Sequence, residues 1–137
     1  MANQNKKVGN AFEQEFCEIL AQHGFWAHNL AQNRQGQPFD VIAAKDGVAY
    51  VFDCKVCEDD VFDLSRIEEN QENAMLLWES KGNIPGFFVF KMSSGYIKMV
   101  TLANLLKLRD FYHRKSLYLY HHSFVMMDFD EWMGYHT

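Results

Sequence analysis

The chain has 137 residues, of which 48% are hydrophobic, and it carries a formal net charge of −5. This length and apolar content suffice for one buried core, so we expect a single domain over residues 1–137 with an aromatic-rich tail from about residue 117. No apolar run reaches membrane-spanning length and the N-terminus lacks the apolar region of a signal peptide, so we expect a soluble cytoplasmic protein.

Hydrophobic periodicity and turn signals predict an alternation of helices and strands. Asp46-Gly47 is a strong signal for a two-residue hairpin turn. Ser65 and Glu68 have the spacing of a capping box that opens the second helix. In chain order, the predicted elements are a helix over residues 10–23, strands over 25–30, 39–44 and 48–56, a helix over 65–81, strands over 86–92 and 95–100, and a helix over 102–113. This order is typical of a mixed α/β domain with a central sheet covered by helices.

Cys54 and Cys57 form a C-x-x-C pair, a pattern that can indicate a metal or redox site. Side chains alternate faces along a strand, so residues three apart point to opposite sides and cannot bind one ion. No second cysteine pair completes a zinc site, and Cys17 lies in a distant helix. The odd number of cysteines, three, also excludes a full disulfide framework. We therefore interpret Cys54 as a small core residue beside Phe52 and Val56.

Two aspartates face each other in the predicted hairpin. Strand alternation puts Asp53 and Lys55 on one face, and the two-residue turn places Asp40 directly across from Asp53. Such cross-strand partners have Cβ atoms about 4.5–5.5 Å apart, and facing like charges are destabilising. A divalent cation between the carboxylates would remove the repulsion, and oxygen ligands of this kind suit Mg²⁺ or Mn²⁺. A lysine beside them can orient a water molecule and stabilise charge on a phosphate.

Two more polar residues fall on apolar helix faces. Glu13 projects into the apolar sector of the first helix, and Gln71 lies in the apolar stripe of the second. Each alone can be a side chain at the edge of its stripe that reaches water. Together with the facing aspartates they indicate a polar site lined by two helices and a hairpin.

The charges are segregated along the chain. Between Glu58 and Glu72 there are seven acids and one base, whereas between Lys81 and Lys115 there are seven bases and one acid. This bias is explained either by solvated faces with chance composition or by one basic face that contacts a phosphate backbone. The overall negative charge argues weakly against a polyanionic partner. The bases outside the hairpin that we expect to contact nucleic acid are Lys6, Lys7, Arg34, Arg114 and Lys115.

The series Glu13, Asp40 and Asp53-x-Lys55, with "PFD" and "DCK" as its two halves, resembles the PD-(D/E)xK nuclease superfamily. The segments around this short motif narrow the resemblance. The chain contains "GNAFEQEF", "VFDCKV", "FDLSRIEENQ", "GFFVFKM" and "RKS" in this order. Over residues 9–116 these segments are similar to the RecU-type Holliday junction resolvases.

The resemblance implies a restriction-endonuclease-like fold, in which helices flank a mixed central β-sheet. It implies a homodimeric, Mg²⁺-dependent endonuclease that cuts four-way DNA junctions, with Mn²⁺ as the alternative ion. In that family the carboxylates matching Asp40 and Asp53 hold the metal, and we count the backbone carbonyl of Cys54 with them. The lysine matching Lys55 serves the attacking water, and the positions matching Glu13 and Gln71 support the site.

Two features depart from the RecU type. The loop over residues 29–37 is shorter than the projection that enters the junction in that family, and the net charge is acidic. A short phage-encoded version, acting in the host cytoplasm, would fit the shorter loop. Two other functions stay open: a duplex-cutting restriction or repair nuclease of the same superfamily, and a non-catalytic DNA-binding protein. The retained Asp40, Asp53 and Lys55 argue against the last.

Overall fold

The computed structural model describes residues 2–30, 38–121 and 125–134, with side chains from residue 11 onward. Within these ranges no helix is both long and apolar enough to cross a membrane. The elements are α1 (Ala2–Gln22), β1 (Trp26–Asn29), β2 (Val41–Lys45), β3 (Val48–Cys57), β4 (Val61–Asp63), α2 (Glu69–Ser80), β5 (Phe87–Met92), β6 (Ile97–Thr101), α3 (Leu102–Leu106), β7 (Ser116–Tyr118), β8 (Met127–Asp128) and α4 (Phe129–Gly134), with a 3-10 turn at Leu64–Arg66 before α2 and a π-helical turn at Lys107–Phe111 after α3.

Six strands form a central mixed sheet in the order β1-β2-β3-β5-β6-β8. Strands β3 and β5 are parallel in the middle of the sheet, and the other neighbours are antiparallel. The parallel pair needs a crossover, which β4 and α2 supply. Strands β4 and β7 form a separate antiparallel pair. The mixed α/β architecture predicted from the sequence is confirmed.

The hairpin between β2 and β3 has the predicted register. Asp46 (φ 53°) and Gly47 (φ 80°) both adopt the left-handed conformation that a two-residue turn of this type requires. Val41 pairs with Phe52 at the far end of the ladder. The N–H of Asp40 donates to the Phe52 carbonyl at 3.0 Å, which extends the ladder one residue beyond β2. Asp40 therefore lies across from the residue after Phe52.

Each face of the sheet carries its own hydrophobic core. On one face, α1 and α4 cover alternate residues of β3, among them Phe52 and Cys54. On the other face, Phe88 and Phe90 of β5 pack with residues of β4, α3 and β7. Asp53 is in register with Phe88 and belongs to this second face.

All three cysteines are free and buried. Cys54 lies in the core with Phe52, and partly buried Val56 packs against it, as predicted. Cys57 lies in the core of the opposite face, so the two thiols cannot bind one ion together. Burial raises the pKa of Cys57 to about 11, which keeps this thiol protonated at neutral pH.

The capping box predicted for the second helix is displaced by one turn. The N–H of Ser65 donates to Asp63 Oδ1 at 2.9 Å, which forms the 3-10 turn instead of the helix. The box that opens α2 consists of Glu68 and Gln71. Because Ser65 is held in the 3-10 turn that Asp63 caps, it cannot serve as the helix cap, and the regular helix begins at Glu69.

The last predicted helix is shorter than expected, and the tail is more structured. Regular helix ends at Leu106 instead of about residue 113, and the chain passes through the π-helical turn to His113, whose φ is 53°. No helix or strand was predicted for the aromatic-rich tail from about residue 117, and the structure forms β7, β8 and α4 there. Phe129 and Trp132 of α4 are buried in the core beside α1.

Candidate active site

Asp53 is fully buried in the middle of β3. Lys55 Nζ lies 3.3 Å from Asp53 Oδ1, at ion-pair distance, but neither oxygen of Asp53 has a neighbour in hydrogen-bond geometry. Burial, together with the charge of Asp40, raises the pKa of Asp53 to about 8, and Lys55 opposes this rise. Buried carboxylates are normally paired or hydrogen-bonded. The two oxygens of Asp53 lack hydrogen bonds, so they are available to a ligand.

Asp40 lies directly before β2, and its side chain is tied to β3. Its Oδ2 accepts a hydrogen bond of 2.8 Å from the N–H of Cys54. Burial raises the pKa of Asp40, and the charge of Glu68 adds to the rise, whereas the Cys54 hydrogen bond and Lys55 oppose it. The two facing carboxyl groups thus both resist ionisation, as expected for like charges brought together away from water.

Glu13 approaches the same site from α1. Its side chain is buried, and its Oε2 has no hydrogen-bond partner. Burial raises its pKa to about 7, with Asp40 adding to the rise and Lys55 opposing it. Glu13 is thus coupled electrostatically to Asp40 and Lys55.

Gln71 is brought over the sheet by close packing of α2. A Cβ added at Gly86, the residue before β5, would lie 3.2 Å from both Met75 Cγ and Val51 Cγ2. Gln71 stands one helical turn before Met75 and is buried. Its Oε1 accepts a hydrogen bond of 3.4 Å from the N–H of Glu68. This hydrogen bond between Gln71 and Glu68 holds the first turn of α2 in place.

A second contact fixes α2 beside the hairpin. The rings of Trp78 and Phe39 meet edge to face, with centroids 5.8 Å apart. Phe39 directly precedes Asp40, so the helix that carries Gln71 is packed against the start of β2. Glu68, whose charge acts on Asp40, is a neighbour of the site that sequence reasoning missed, because its position in a capping signature already explained it.

The donor set fits a hard divalent cation. Among the described residues, no three or more His, Cys, Asp or Glu side chains are grouped to hold a metal ion. An ion at this site would therefore use two carboxylates, Asp40 and Asp53, with the Cys54 carbonyl and water as further oxygen ligands. Mg²⁺ is commonly bound in this way, by one or two carboxylates and retained water. The two buried Asp53 oxygens without hydrogen bonds are the observation that agrees with such an ion.

The predicted nucleic-acid contacts lie apart from this cluster. Arg114 and Lys115 are exposed and line one groove with Arg109. Lys6 and Lys7 lie in the part of α1 that is described for its backbone alone. Arg34 falls outside the described residues. Glu13, Asp40, Asp53 and Lys55 are thus the predicted site residues that the fold brings together.

The chain matches the family of archaeal Holliday junction resolvases (Hjc) over residues 4–116. It belongs to this family. Hjc-type resolvases are metal-dependent endonucleases. The Hjc family is a different branch from the RecU type that the motifs suggested, and it is consistent with the expected PD-(D/E)xK superfamily. No curated protein matches the sequence.

Among solved structures, the fold is similar to that of Hjc from Archaeoglobus fulgidus, a Holliday junction resolvase from an archaeal hyperthermophile. The TM-score is 0.57 at 15% sequence identity, and the alignment covers 70% of this chain and 78% of that chain. This likeness confirms the expected nuclease fold, a mixed central sheet flanked by helices. The match to the Hjc family ends at residue 116, where β7 begins.

Proposed function

We propose that the chain is a DNA endonuclease that depends on Mg²⁺, or alternatively Mn²⁺, and resolves four-way junctions by hydrolysing phosphodiester bonds. Asp40, Asp53 and the carbonyl of Cys54 are the proposed metal ligands. The observation that carries the proposal is the Asp53 carboxylate, which is fully buried, lacks hydrogen bonds to both oxygens and stands across from Asp40. The ion pair with Lys55 reaches Oδ1 alone, so Oδ2 stays buried without a hydrogen-bond partner among the described residues.

When bound, a divalent cation polarises the phosphate and offsets the charge of the two carboxylates. Lys55 is the residue placed to act on water, since its Nζ lies 3.3 Å from Asp53 Oδ1 and its side chain is 13% exposed. An ammonium group at the rim of a buried site can orient the attacking water and stabilise negative charge that develops on the phosphate. The oxygen of the water bonds to phosphorus as the bond from phosphorus to a deoxyribose oxygen breaks. The water loses a proton to solvent and the departing oxygen takes one up, so one new strand end carries a phosphate and the other a hydroxyl group.

Glu13 and Gln71 are proposed as positioning residues. The pKa of Glu13, raised to about 7, means that its carboxyl group changes charge near neutral pH, and its influence on Lys55 is electrostatic. Gln71 holds the first turn of α2 through Glu68, which in turn acts on Asp40. Both side chains therefore support the groups that meet the substrate, within what we propose to be a single nuclease domain.

We further propose that the enzyme is a homodimer and that it acts in the cytoplasm, where its DNA substrate is found. Resolution of a four-way junction requires two cuts, and the proposed site uses one set of carboxylates from each chain. A symmetric pair of chains would supply two such sites. The proposed DNA contacts are Lys6, Lys7, Arg34, Arg114 and Lys115, of which the last two are exposed at the surface.

A cleavage assay tests this function. A four-way junction, a fork and a linear duplex of the same sequence are incubated with Mg²⁺, Mn²⁺ or EDTA, with Asp53→Asn as the inactive control. We expect symmetric cuts in the junction with either metal ion and none with EDTA. Equal cutting of the linear duplex would indicate a restriction or repair nuclease, and binding without cutting would indicate a DNA-binding protein.

A further inference from the structure

A basic groove lies on the surface beside the turn that follows α3. It has a volume of about 400 Å³, and its lining residues are Asp63, Leu64, Ser65, Arg109, Arg114 and Lys115. The guanidinium of Arg109 is engaged by Glu72 and Asp110 at 2.9 and 2.7 Å. Among the described residues, Arg114 and Lys115 form no ion pair. The groove therefore presents two available positive charges.

A second, aromatic groove of about 220 Å³ adjoins the first at Arg114, and Tyr118 and His121 line it. Tyr118 and Tyr120 are 40% and 57% exposed. Their ring centroids are 5.8 Å apart, and the His121 ring lies 6.1 and 4.6 Å from the two tyrosines. Three rings thus stand together at the surface, next to a cation that both grooves share.

Backbone hydrogen bonds determine the side from which the rings of Tyr118 and Tyr120 project. Tyr118 pairs with Val61 in the β4–β7 ladder, and the N–H of Leu119 donates to the Asp60 carbonyl at 2.9 Å. Leu117 and Leu119, which alternate with the tyrosines, are buried in the core below. Because the chain alternates buried leucine and exposed tyrosine, the rings must point outward.

The two grooves lie on the catalytic side of the sheet. Leu117 and Leu119 share their core with Phe88, and Phe88 is in register with Asp53. DNA that occupies the active site would therefore be on the same side of the sheet as the grooves.

We propose that Arg114, Lys115, Tyr118, Tyr120 and His121 form a surface that binds unpaired nucleotides of DNA. The phosphates would lie at Arg114 and Lys115, and bases would stack on Tyr118 and Tyr120. Stacking on aromatic rings beside a cationic track is how proteins bind single strands without sequence preference. This inference rests on the proposed action on DNA, and it adds an affinity for single-stranded segments next to a branch.

Charge decides between DNA and a protein as the occupant. Surfaces that bind proteins are depleted of lysine, whereas here Lys115 lines the basic groove that adjoins the aromatic groove at Arg114. The lining of the basic groove holds one carboxylate, Asp63, which accepts a hydrogen bond from the N–H of Ser65, against the two bases Arg114 and Lys115. The three rings also lie beyond residue 116, where the match to the Hjc family ends. The rings of the surface thus lie outside the part of the chain that matches the family, whereas Arg114 and Lys115 lie within it.

The test is the affinity for a short fluorescent oligothymidylate, measured by anisotropy in EDTA so that no cleavage occurs. The double variant Tyr118→Ala/Tyr120→Ala should bind about tenfold more weakly or worse, because each stacked base is lost. Tyr118→Phe/Tyr120→Phe keeps both rings and should retain the affinity of the unmodified protein. The matched control is Tyr96→Ala, a 73% exposed tyrosine in a groove with Asp128 and Asp130, which should not change the affinity.

Photo-crosslinking of the unmodified protein to an oligonucleotide with iododeoxyuridine avoids any effect of mutation on folding. Adducts on the peptide over residues 116–121 are expected, and adducts confined to other peptides would overturn the inference. Unchanged affinity of the double alanine variant would overturn it too. If that variant also lost its dimer in sedimentation, the surface would be a contact between two copies of the chain. Junction cleavage by the unmodified protein, assayed separately, shows whether the proposed function itself stands.

Discussion

Asp40 Oδ2 accepts a hydrogen bond of 2.8 Å from the backbone N–H of Cys54. This bond anchors one carboxylate of the pair to the strand that carries the other, so Asp40 is oriented before any ligand arrives. Asp53 has no comparable hydrogen bond, although it is the more deeply buried. Asp40 is thus already oriented, whereas burying Asp53 without hydrogen bonds lowers the stability of the folded protein. This combination is expected where a ligand supplies the missing interaction.

Asp53→Asn should abolish cleavage and raise the stability of the metal-free protein at alkaline pH. The pKa of Asp53 is raised from 3.8 to about 8, so the folded state retains a proton that the unfolded state releases. The stability of the unmodified protein should therefore fall as the pH rises from about 4 to about 8. Since asparagine cannot ionise, the variant should gain on the order of a few kcal/mol at pH 8 and almost nothing near pH 4.

Urea unfolding in EDTA at several pH values measures this difference. Asp130→Asn is the control, because Asp130 is exposed on α4 and its substitution should have no pH-dependent effect. If Asp53→Asn and the unmodified protein kept the same difference in stability at all pH values, Asp53 would not carry the raised pKa. A variant that still cut junctions at the normal rate would remove Asp53 from the site.

Metal binding should release protons. At pH 7 the raised pKa of Asp53 keeps its carboxyl group protonated in the free protein, and a carboxylate must lose its proton to bind a cation. We expect the apparent affinity for Mn²⁺ to fall about tenfold for each pH unit below 8 when one proton is displaced. Titration calorimetry at pH 7 in buffers with different ionisation enthalpies counts the protons, and a count of zero would contradict the assignment.

Lys55→Gln should reduce the cleavage rate more than it reduces metal binding. Lys55 is placed to orient water and is not among the proposed metal ligands, so its loss should slow cleavage by about 100-fold or more. Single-turnover rates at saturating Mn²⁺, together with calorimetric affinity, separate the two effects. Lys91→Gln is the matched control, because Lys91 pairs with Glu15 outside the site. This variant should cleave DNA at the normal rate. Loss of metal binding equal to the loss of rate would make Lys55 a structural residue.

The hairpin and its carboxylate pair were predictable because their signals are local. Asp46-Gly47 fixes the turn, and strand alternation then determines which residues face each other. The same local reasoning misplaced the start of α2, since Asp63 and Glu68 were two competing caps within six residues of each other. Sequence spacing alone did not show which of them would open the helix.

The tail could not be predicted for a different reason. Strand β8 has two residues and α4 has six, lengths at which local propensity is too weak to specify structure. Their positions depend on long-range contacts, such as that of Trp132, whose ring stacks on Phe25 with centroids 5.7 Å apart. Likewise, the sequence suggested Gln71 as a site residue, but its role in capping became visible with the fold.

Cys57→Ser should leave cleavage and metal dependence nearly unchanged. Its thiol lies in the core opposite Cys54, and the contact to Arg66 Nη1 is 3.9 Å long. The hydroxyl in this buried position should cost about 1–3 kcal/mol of stability. Activity assays and metal analysis of the purified variant check the prediction. Bound zinc in the unmodified protein that disappears with the substitution would restore the C-x-x-C pair as a metal site.

The basic residues should divide into general and junction-selective contacts. Lys6→Ala and Lys7→Ala should each weaken binding to junction and duplex alike. Arg114→Gln and Lys115→Gln should each weaken DNA binding, and each lost phosphate contact should reduce the slope of log affinity against log salt by about one. Arg34 falls in the segment over residues 29–37, where the sequence predicts a loop shorter than the RecU projection, so Arg34→Ala should weaken binding to the junction more than binding to the duplex. The test is the affinity of each variant for junction and duplex across a salt series. Lys91→Gln, which removes a basic residue outside these groups, is the control. Equal losses on the two substrates for Arg34→Ala would mean that this loop does not recognise the branch, and selectivity for the junction would then have to come from other parts of the surface.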